Sequence, residues 1–330
     1  MREVLPKLAA LAVLLPLTYG ASATADDTTV ELTFRDPEIV ESSGLAVVGD
    51  LLVTTNDSGD EGRVFAVDAS GRTVGTSRWS ADPVDVEALA PGDGSSVWVG
   101  DIGDNTGNRA SIRVVSVPVG RGEIDADGPA YDLVYPDGAR DAESLLVHPV
   151  TGRLYVATKE IFDGLLYAAP AELDPTRPNR LTEVGPVVSI ATDAAFFPDG
   201  RHLVVRGYES ARIYGFPSLQ PVADIDLPDQ DQGEGVAVTA DGDLLISTEG
   251  QHTEVLRVPL PEAVRGAMTP EPTAQPTPSS PATDRPDTVS REGRELPETT
   301  ETVRSPWPWF LGGFIGLGII VVLMRSLRRR

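Results

Sequence analysis

Residues 83–92 read PVDVEALAPG, and variants of this phrase return four more times along the chain. The other copies are EIVESSGLAVV (38–48), ARDAESLLVHP (139–149), SIATDAAFFPDG (189–200) and DQGEGVAVTADG (231–242). Their central residues lie 44, 56, 49 and 42 positions apart, and a period of that size indicates a repeat architecture. The central residues are Ser43, Glu87, Glu143, Thr192 and Glu234.

Three further apolar runs follow most copies, separated by turn signals such as Asp199-Gly200 and Asp241-Gly242. Four short antiparallel strands in each period of about 40–50 residues are typical of a β-propeller blade. The last copy lacks a fourth strand, whereas an extra strand, TVELTF at 29–34, precedes the first copy. We therefore expect an all-β propeller of five blades, closed by residues 29–34. A sixth blade would have to lie within the longer second or third period.

The two ends of the chain predict export and membrane anchoring. Residues 1–25 have a basic start, an apolar stretch and a small-residue site before Asp26, as in a signal peptide. Residues 306–324 are apolar and precede an Arg-rich end, as in a transmembrane helix with a cytoplasmic tail. The domain boundaries predicted on this basis are signal peptide 1–25, propeller 26–261, disordered Pro/Thr/Ser/Glu-rich stalk 262–305, transmembrane helix 306–324 and cytoplasmic tail 325–330.

These segments place the propeller outside the cell, on a single-pass cell-membrane protein. Residues 296–300, LPETT, offer an alternative. Their position before an apolar span and a basic tail resembles a Gram-positive sortase signal, which would attach the protein to the cell wall. The motif of that signal ends in Gly, whereas this chain has Thr300.

Composition excludes several kinds of chemistry. The chain has no cysteine, which rules out disulfides and thiolate sites, and three histidines. The net charge is −23, and residues 26–260 carry 41 acidic and 16 basic side chains, a net charge of −25. Binding to nucleic acid depends on neutralising phosphates, so we expect no nucleic-acid partner.

The acidic residues are predicted to converge on one end of the propeller channel. In an antiparallel hairpin the start of the first strand lies beside the end of the second. Both segments carry carboxylates here, and crowded carboxylates bind hard cations such as Ca²⁺ when no His or Cys is present. The alternative is that each acid caps backbone N–H groups of its own blade. The candidate metal ligands are Asp57, Asp60, Glu87, Asp101, Asp104, Glu143, Glu160, Glu234 and Glu249.

Two basic residues stand among these acids. Lys159 is the single lysine after Lys7, and Arg206 occupies the position that holds an acid in most other blades, followed closely by Tyr208. The three residues are candidates for binding an anionic ligand beside the cation. The alternative is that both cations form ion pairs with neighbouring carboxylates.

The phrases DVEAL, DAESL and GEGVAV, with ESSGLA before TNDSGD, resemble the β-propeller phytase-like superfamily, including esterase-like and SdiA-regulated proteins. They are also similar to uncharacterised actinobacterial exported propellers. The resemblance covers roughly residues 38–256. It implies calcium ions at the channel mouth held by acids such as Glu87, Glu143 and Glu234, and phosphate bound by cations analogous to Lys159 and Arg206.

The leading functional hypothesis is a surface-tethered binding or scaffold module, which uses a calcium-lined mouth for a small ligand or a surface protein. The alternative is a calcium-dependent phosphoesterase, as the resemblance implies. Basic residues are scarce and the phytase DDPA-type motif is missing, so the binding module ranks first. Paired carboxylates could also hydrolyse glycosides, but few aromatic residues are available to stack on sugars.

Overall fold

The computed structural model describes residues 21–24, 27–57, 59–162 and 164–269. This part of the chain forms five sheets arranged as the blades of a propeller, so the predicted five-bladed all-β fold is confirmed. Two strands precede the first blade. They are β1 (Ala21–Thr24) and β2 (Thr29–Thr33).

Each of the first two blades contains four consecutive antiparallel strands of the expected repeat. Blade one consists of β3 (Ser42–Val48), β4 (Leu51–Asn56), β5 (Arg63–Val67) and β6 (Thr73–Arg78). Blade two consists of β7 (Val86–Pro91), β8 (Ser96–Asp101), β9 (Ile112–Pro118) and β11 (Ala130–Val134), with the short strand β10 (Gly122–Asp125) in the connection before β11.

Blades three and four follow the same order. Blade three consists of β12 (Ala142–Val147), β13 (Leu154–Thr158), β14 (Leu165–Ala168) and β16 (Thr182–Pro186), with β15 (Asn179–Arg180) before β16. Blade four consists of β17 (Asp193–Phe196), β18 (His202–Arg206), β19 (Ser210–Gly215) and β20 (Gln220–Asp226).

Blade five closes the ring. Its own strands are β21 (Gly233–Val238), β22 (Leu244–Thr248) and β23 (Glu254–Val258), and its outer strand is β2 from the start of the chain. Strand β2 pairs antiparallel with β23, from Thr29 opposite Arg257 to Thr33 opposite Glu254. The predicted closure by residues 29–34 is therefore confirmed, and blade five has four strands like the other blades.

The two long periods contain additional edge strands, and these explain why no sixth blade is needed. Strand β10 pairs parallel with β6 on the outer edge of blade one, and β15 pairs parallel with β11 on blade two. Strand β1 covers the edge of β20 in the same way, although it lies within the predicted signal peptide. A covered edge offers no unpaired backbone groups to another chain.

The first strand of every blade lies innermost. Strands β3, β7, β12, β17 and β21 end their sheets, and each contacts the first strand of the two neighbouring blades. Five buried apolar clusters fill the seams between adjacent blades, for example around Ile112 and Leu145 between blades two and three. Alternating strand residues thus face the seams, as the period of two requires.

Helix α1 (Glu262–Met268) follows the last strand and packs Val264, fully buried, into the seam cluster of blades four and five. These seven residues belong to the segment that we predicted to be stalk, so the folded part extends beyond residue 261. No described helix combines the length and apolar character needed to cross a membrane. The predicted transmembrane helix at 306–324, its tail, the rest of the stalk and residues 1–20 lie outside the described residues.

Candidate functional site

The hairpin geometry brings the acidic phrases to one end of the channel, which we call the channel mouth. In four blades, a backbone N–H just after the second strand donates to a carbonyl of the phrase. The acceptor is the residue two positions before the central residue. These bonds join Asp57 to Glu41, Gly103 to Asp85, Lys159 to Asp141 and Glu249 to Gln232, at 3.0–3.2 Å. The start of each first strand therefore lies beside the end of the second, as the sequence predicted.

A β-bulge turns the central residue of the phrase away from regular pairing. Register shifts fall at Ser43 in blade one, Glu87 in blade two, Glu143 in blade three and Glu234 in blade five. A bulge leaves its extra residue unpaired and re-aims the side chain. Blade four has no such shift, and its phrase carries Thr192 instead of Glu. The bulges are the local reason why three glutamates face one another at the mouth.

The small residue after the central position permits adjacent first strands to approach closely. A Cβ on Gly44 would lie 2.4 Å from the backbone N of Leu89 in the next blade. Hydroxyl groups at the central position add hydrogen bonds between the first strands of adjacent blades. Ser43 Oγ donates to the Glu87 carbonyl at 2.9 Å, and Thr192 Oγ1 donates to the Glu234 carbonyl at 3.1 Å. The same bond in two seams confirms that the central residues are equivalent.

Three carboxylates form the tightest acidic group among the described residues. Oxygens of Asp57, Asp85 and Glu87 all lie within 4.8 Å of one another. Glu87 is buried, whereas Asp57 and Asp85 are partly exposed to the mouth. We call these three residues the carboxylate triad. They come from the turn after β4 and from the start of β7, so the triad joins blades one and two.

Burial and repulsion from neighbouring carboxylates raise the pKa values of two members of the triad, Asp85 and Glu87. The pKa of Glu87 is raised to about 10, mainly by burial, and further by Glu143, Asp57 and Asp85. Ser43 Oγ opposes this rise with a 3.2 Å hydrogen bond to the carboxylate. The pKa of Asp85 is raised to about 6, again mainly by burial and then by Asp57. A cation would remove this penalty, because it favours the deprotonated form.

Because Gly103 has no side chain, the carboxylates of Asp85 and Glu87 can lie against its backbone. A Cβ at this position would lie 2.4 Å from Asp85 Oδ2 and 2.8 Å from Glu87 Oε1. Gly103→Ala should therefore displace the two carboxylates while leaving the strands intact. If the triad is the predicted calcium site, the variant should bind calcium at least tenfold more weakly than the unchanged protein, since a change of about 1.4 kcal/mol is tenfold. Calcium titration against Gly120→Ala, whose Cβ would meet nothing nearer than 3.5 Å, provides the comparison. Equal affinities in the two variants would contradict this role.

A second acidic group surrounds Lys159. Its Nζ forms an ion pair with Glu143 Oε1, while Glu143 Oε2 is buried and has no hydrogen-bond partner. Burial raises the pKa of Glu143 to about 8 against the opposing effect of Lys159, and burial raises that of Glu234 to about 7. Burial would lower the pKa of Lys159, but Glu143 outweighs it and the pKa is raised. The pKa of Glu249 is also raised, first by burial and then by Glu41.

Four of the predicted ligands serve the backbone or an arginine instead. Asp60 accepts from Arg63 Nε and Asn56 Nδ2, and Glu160 pairs with Arg140 at 2.9 Å. The capping alternative therefore describes Asp101 and Asp104, whereas Asp60 and Glu160 form ion pairs with arginines. The four are Asp60, Asp101, Asp104 and Glu160.

Asp101 and Asp104 fix the turns around the mouth. Asp101 accepts from the N–H groups of Val84 and Asp85 and pairs with Arg109 at 2.9 Å. Asn56 Oδ1 and Thr248 Oγ1 accept the corresponding N–H groups in blades one and five, so this position needs an acceptor and no charge. Asp104 accepts from the N–H groups of residues 108 and 109 within its own turn.

Arg206 does not present its charge to a ligand at the mouth, which corrects the sequence prediction. Its side chain is fully buried, and its guanidinium donates to the carbonyls of Gly235 and Ser247 and to Gln230 Oε1 at 2.6–2.9 Å. Burial lowers its pKa to about 10. Blade four has Thr192 in place of glutamate at the central position, and the buried Asp193 follows it. Arg206 therefore ties blade four to blade five.

Lys159 and Tyr208 do lie together. Lys159 Nζ sits 5.3 Å from the centre of the Tyr208 ring, in a cation–π arrangement, and both side chains are partly exposed. Two of the three predicted anion-binding residues thus share one side of the mouth, beside Glu143.

The sequence analysis overlooked Asp85 as a ligand candidate. Asp85 lies two residues before the central Glu87 of its phrase. The signal was available, because Glu41, Asp85 and Asp141 recur two residues before the central position. Asp141 uses Oδ1 to accept the N–H of Asp104 at 2.8 Å, so it supports the neighbouring turn.

A cavity of about 690 Å³ lies between the inner strands, away from the triad. Its walls are mainly apolar, with one or more residues from each first strand, and it extends to the turn around His148. Its lining contains none of the candidate ligands. The predicted ligands therefore lie outside this cavity.

No protein-family model matches the chain, and no curated protein sequence matches it. Among solved structures, the crystal structure of Myxococcus xanthus glutaminyl cyclase is similar to it, with 12% identity and a TM-score of 0.47. The similarity covers 73% of this chain and 99% of that chain. At this identity and TM-score, it carries no argument about activity.

Proposed function

We propose that the chain is a surface-tethered binding module whose channel mouth holds a calcium ion and presents it to a small ligand or a protein partner. The observation that carries this proposal is the carboxylate triad, with its oxygens within 4.8 Å of one another. Tethering rests on the sequence features at 1–25 and 306–324.

The donor set fits calcium. Ca²⁺ binds oxygen at about 2.3–2.6 Å, so oxygens on opposite sides of the ion lie up to about 5 Å apart. The triad meets this spacing and supplies hard oxygen ligands only. Glu143 Oε2, buried and without a partner beside the triad's Glu87, supports the same conclusion. Such an atom is costly unless a cation or a proton compensates it.

The coordination that these residues can offer is incomplete. Ca²⁺ takes about six to eight oxygens, whereas three carboxylates supply three to six. The mouth is open to solvent at Asp57 and Asp85, which are partly exposed. Positions on the ion therefore remain for water or for an oxygen of a ligand, which is what a binding module needs.

A calcium-dependent phosphoesterase is the second candidate, because Lys159 stands beside the acidic residues. Arg206, the other expected phosphate ligand, is enclosed in the seam of blades four and five. The mouth thus has one of the two cations that the resemblance implies. Turnover of p-nitrophenyl phosphate by the full chain, dependent on calcium and lost in Lys159→Gln, would favour the enzyme over the binding module.

Calcium should raise the melting temperature of the full chain. At 100 times the dissociation constant, binding stabilises the folded state by about 2.7 kcal/mol, or about 5 to 10 °C for a domain of this size. Asp85→Asn and Glu87→Gln should reduce this shift strongly. Glu172→Gln, at an exposed position in the turn after β14, is the matched control and should retain it. Equal melting temperatures in calcium and in chelator would overturn the metal site.

A further inference from the structure

Four of the seven large apolar side chains that are exposed among the described residues lie on one side of the mouth, and the other three are Val30, Val84 and Val150. Phe162 is 81% exposed and Ile161 71%, both in the turn between β13 and β14. Ile190, in the connection before β17, and Tyr208, in the turn after β18, are each 39% exposed. We call these four residues the apolar rim. They belong to blades three and four and all lie at the end of the channel where the acidic phrases begin.

Contacts show that the rim is continuous with Lys159. The Ile190 N–H donates to the Glu160 carbonyl at 2.9 Å, which places Ile190 beside the turn that carries Ile161 and Phe162. A Cβ on Gly207 would lie 3.4 Å from the Ile190 carbonyl, so the turn with Tyr208 is adjacent. Lys159 Nζ lies over the Tyr208 ring.

The corresponding turns of other blades are polar. Residues 59–62 read GDEG after β4, residues 104–108 read DNTGN after β8, and residues 250–253 read GQHT after β22. An exposed Ile-Phe pair in a domain of such acidic composition is therefore a local departure. Exposed apolar patches of this kind mark interaction sites.

We propose that the mouth accepts an organic carboxylate with an apolar body, and that the apolar rim selects the body. The carboxylate occupies open positions on the bound cation and accepts a hydrogen bond from Lys159, while the body lies against Phe162 and Ile161. This inference rests on the calcium site of the proposed function.

The charges at the mouth favour a ligand with one negative charge. The ammonium group of Lys159 has three N–H donors and uses one of them in the hydrogen bond to Glu143. A ligand can accept from the group as well. A phosphate dianion would need further cations, and Arg206 is buried and bound to carbonyls. A cationic ligand would compete with the metal for the same acids. A single carboxylate has the charge and the two oxygens to bind both Lys159 and a calcium ion whose charge the triad has already partly neutralised.

Two sources can supply this chemistry, a free acid or the C-terminus of a peptide. We would titrate the calcium-saturated full chain, by calorimetry, with 4-phenylbutanoate and with acetyl-glycyl-glycyl-phenylalanine. The comparison ligands are the C-terminal amide of the same peptide, which has no carboxylate, and acetate, which has no apolar body. We expect binding of the first two and at least tenfold weaker binding of the comparison ligands. A peptide that binds more tightly than the free acid identifies a C-terminus as the source.

Phe162→Ser tests the rim without threatening the fold, since the side chain is 81% exposed. We expect about tenfold weaker binding, from the loss of buried apolar surface in the complex. The matched control is Val150→Ser, which removes an apolar side chain that is 76% exposed in the turn after β12, at the other end of the channel. Lys159→Gln should also weaken binding about tenfold. Phe162→Ser and Val150→Ser with the same affinity would overturn the role of the rim.

The outcomes separate this inference from the calcium site. Calcium raising the melting temperature, with no binding of either carboxylate, overturns the inference and leaves the metal site standing. The peptide amide binding as tightly as the free peptide also overturns it, because the carboxylate would then have no role. No effect of calcium on stability or on binding overturns both.

Discussion

We expect the metal-free protein to lose stability continuously as the pH rises from about 5 to about 9. Five carboxyl groups at the mouth have raised pKa values, which are about 6 for Asp85, 10 for Glu87, 8 for Glu143 and 7 for Glu234, and the pKa of Glu249 is raised as well. The unfolded chain releases these protons near pH 4 to 5, whereas the folded protein retains them. The free energy of unfolding therefore falls by about 1.4 kcal/mol per pH unit for each retained proton, until the pH passes the folded pKa.

Calcium should oppose this loss. The proposed ion would bind the deprotonated carboxylates, so its affinity should rise over the same pH range in which the metal-free protein loses stability. Urea unfolding at a series of pH values, in chelator and in saturating calcium, measures both effects. Glu87→Gln should reduce the slope in chelator by about one proton, whereas Glu172→Gln should not change it. A flat profile in chelator would show that the mouth carboxylates titrate normally.

Replacement of the buried Arg206 should lower the free energy of unfolding much more than replacement of an arginine in a partly exposed ion pair. Arg206→Met removes the guanidinium that donates to Gly235, Ser247 and Gln230, and it leaves Asp193 buried without its neighbouring cation. Breaking a buried charged network of this kind costs about 3–5 kcal/mol. The control is Arg212→Met, which breaks a partly exposed pair with Asp224 and should cost less than about 1 kcal/mol.

Chemical denaturation of the two variants provides the measurement. Because Arg206 lies in the seam of blades four and five, hydrogen exchange should accelerate first in β18 and β22. If Arg206→Met and Arg212→Met have the same free energy of unfolding, Arg206 does not hold the seam.

The blades could be predicted from the sequence because two patterns agreed, the spacing between phrases and the alternation of apolar residues within each strand. The spacing of the phrases gave the blade repeat, and alternating apolar residues within each run gave strands. Residues 29–34 could be assigned to blade five because the last repeat lacked one strand. Helix α1 was missed because Pro261 and the following small and acidic residues have the composition of the stalk. Val264 packs into the seam of blades four and five, and this tertiary contact is not visible in composition.

The site was harder to predict because a carboxylate in a turn serves a metal and a backbone N–H with the same geometry. Asp57 and Asp104 both lie in the turn after the second strand of a blade, yet Asp104 accepts from N–H groups of its own turn while Asp57 lies within the triad. Arg206 was assigned to the mouth by alignment with residues such as Glu249. Its direction depends on which carbonyls the neighbouring blade exposes, and one blade's sequence does not contain that information.

The closing strand also determines when the domain can finish folding during synthesis. Glu31 and Arg257 form an ion pair 226 positions apart in sequence, on the two strands that complete blade five. Strand β2 is synthesised before the five inner strands and must therefore remain without its partner β23 until almost the whole domain has been made. Contacts of such long range form late and slowly, and an unpaired strand is vulnerable to aggregation in the interval. The polar residues of TVELT reduce this risk, and a chain shortened by its last hundred residues could not assemble the ring.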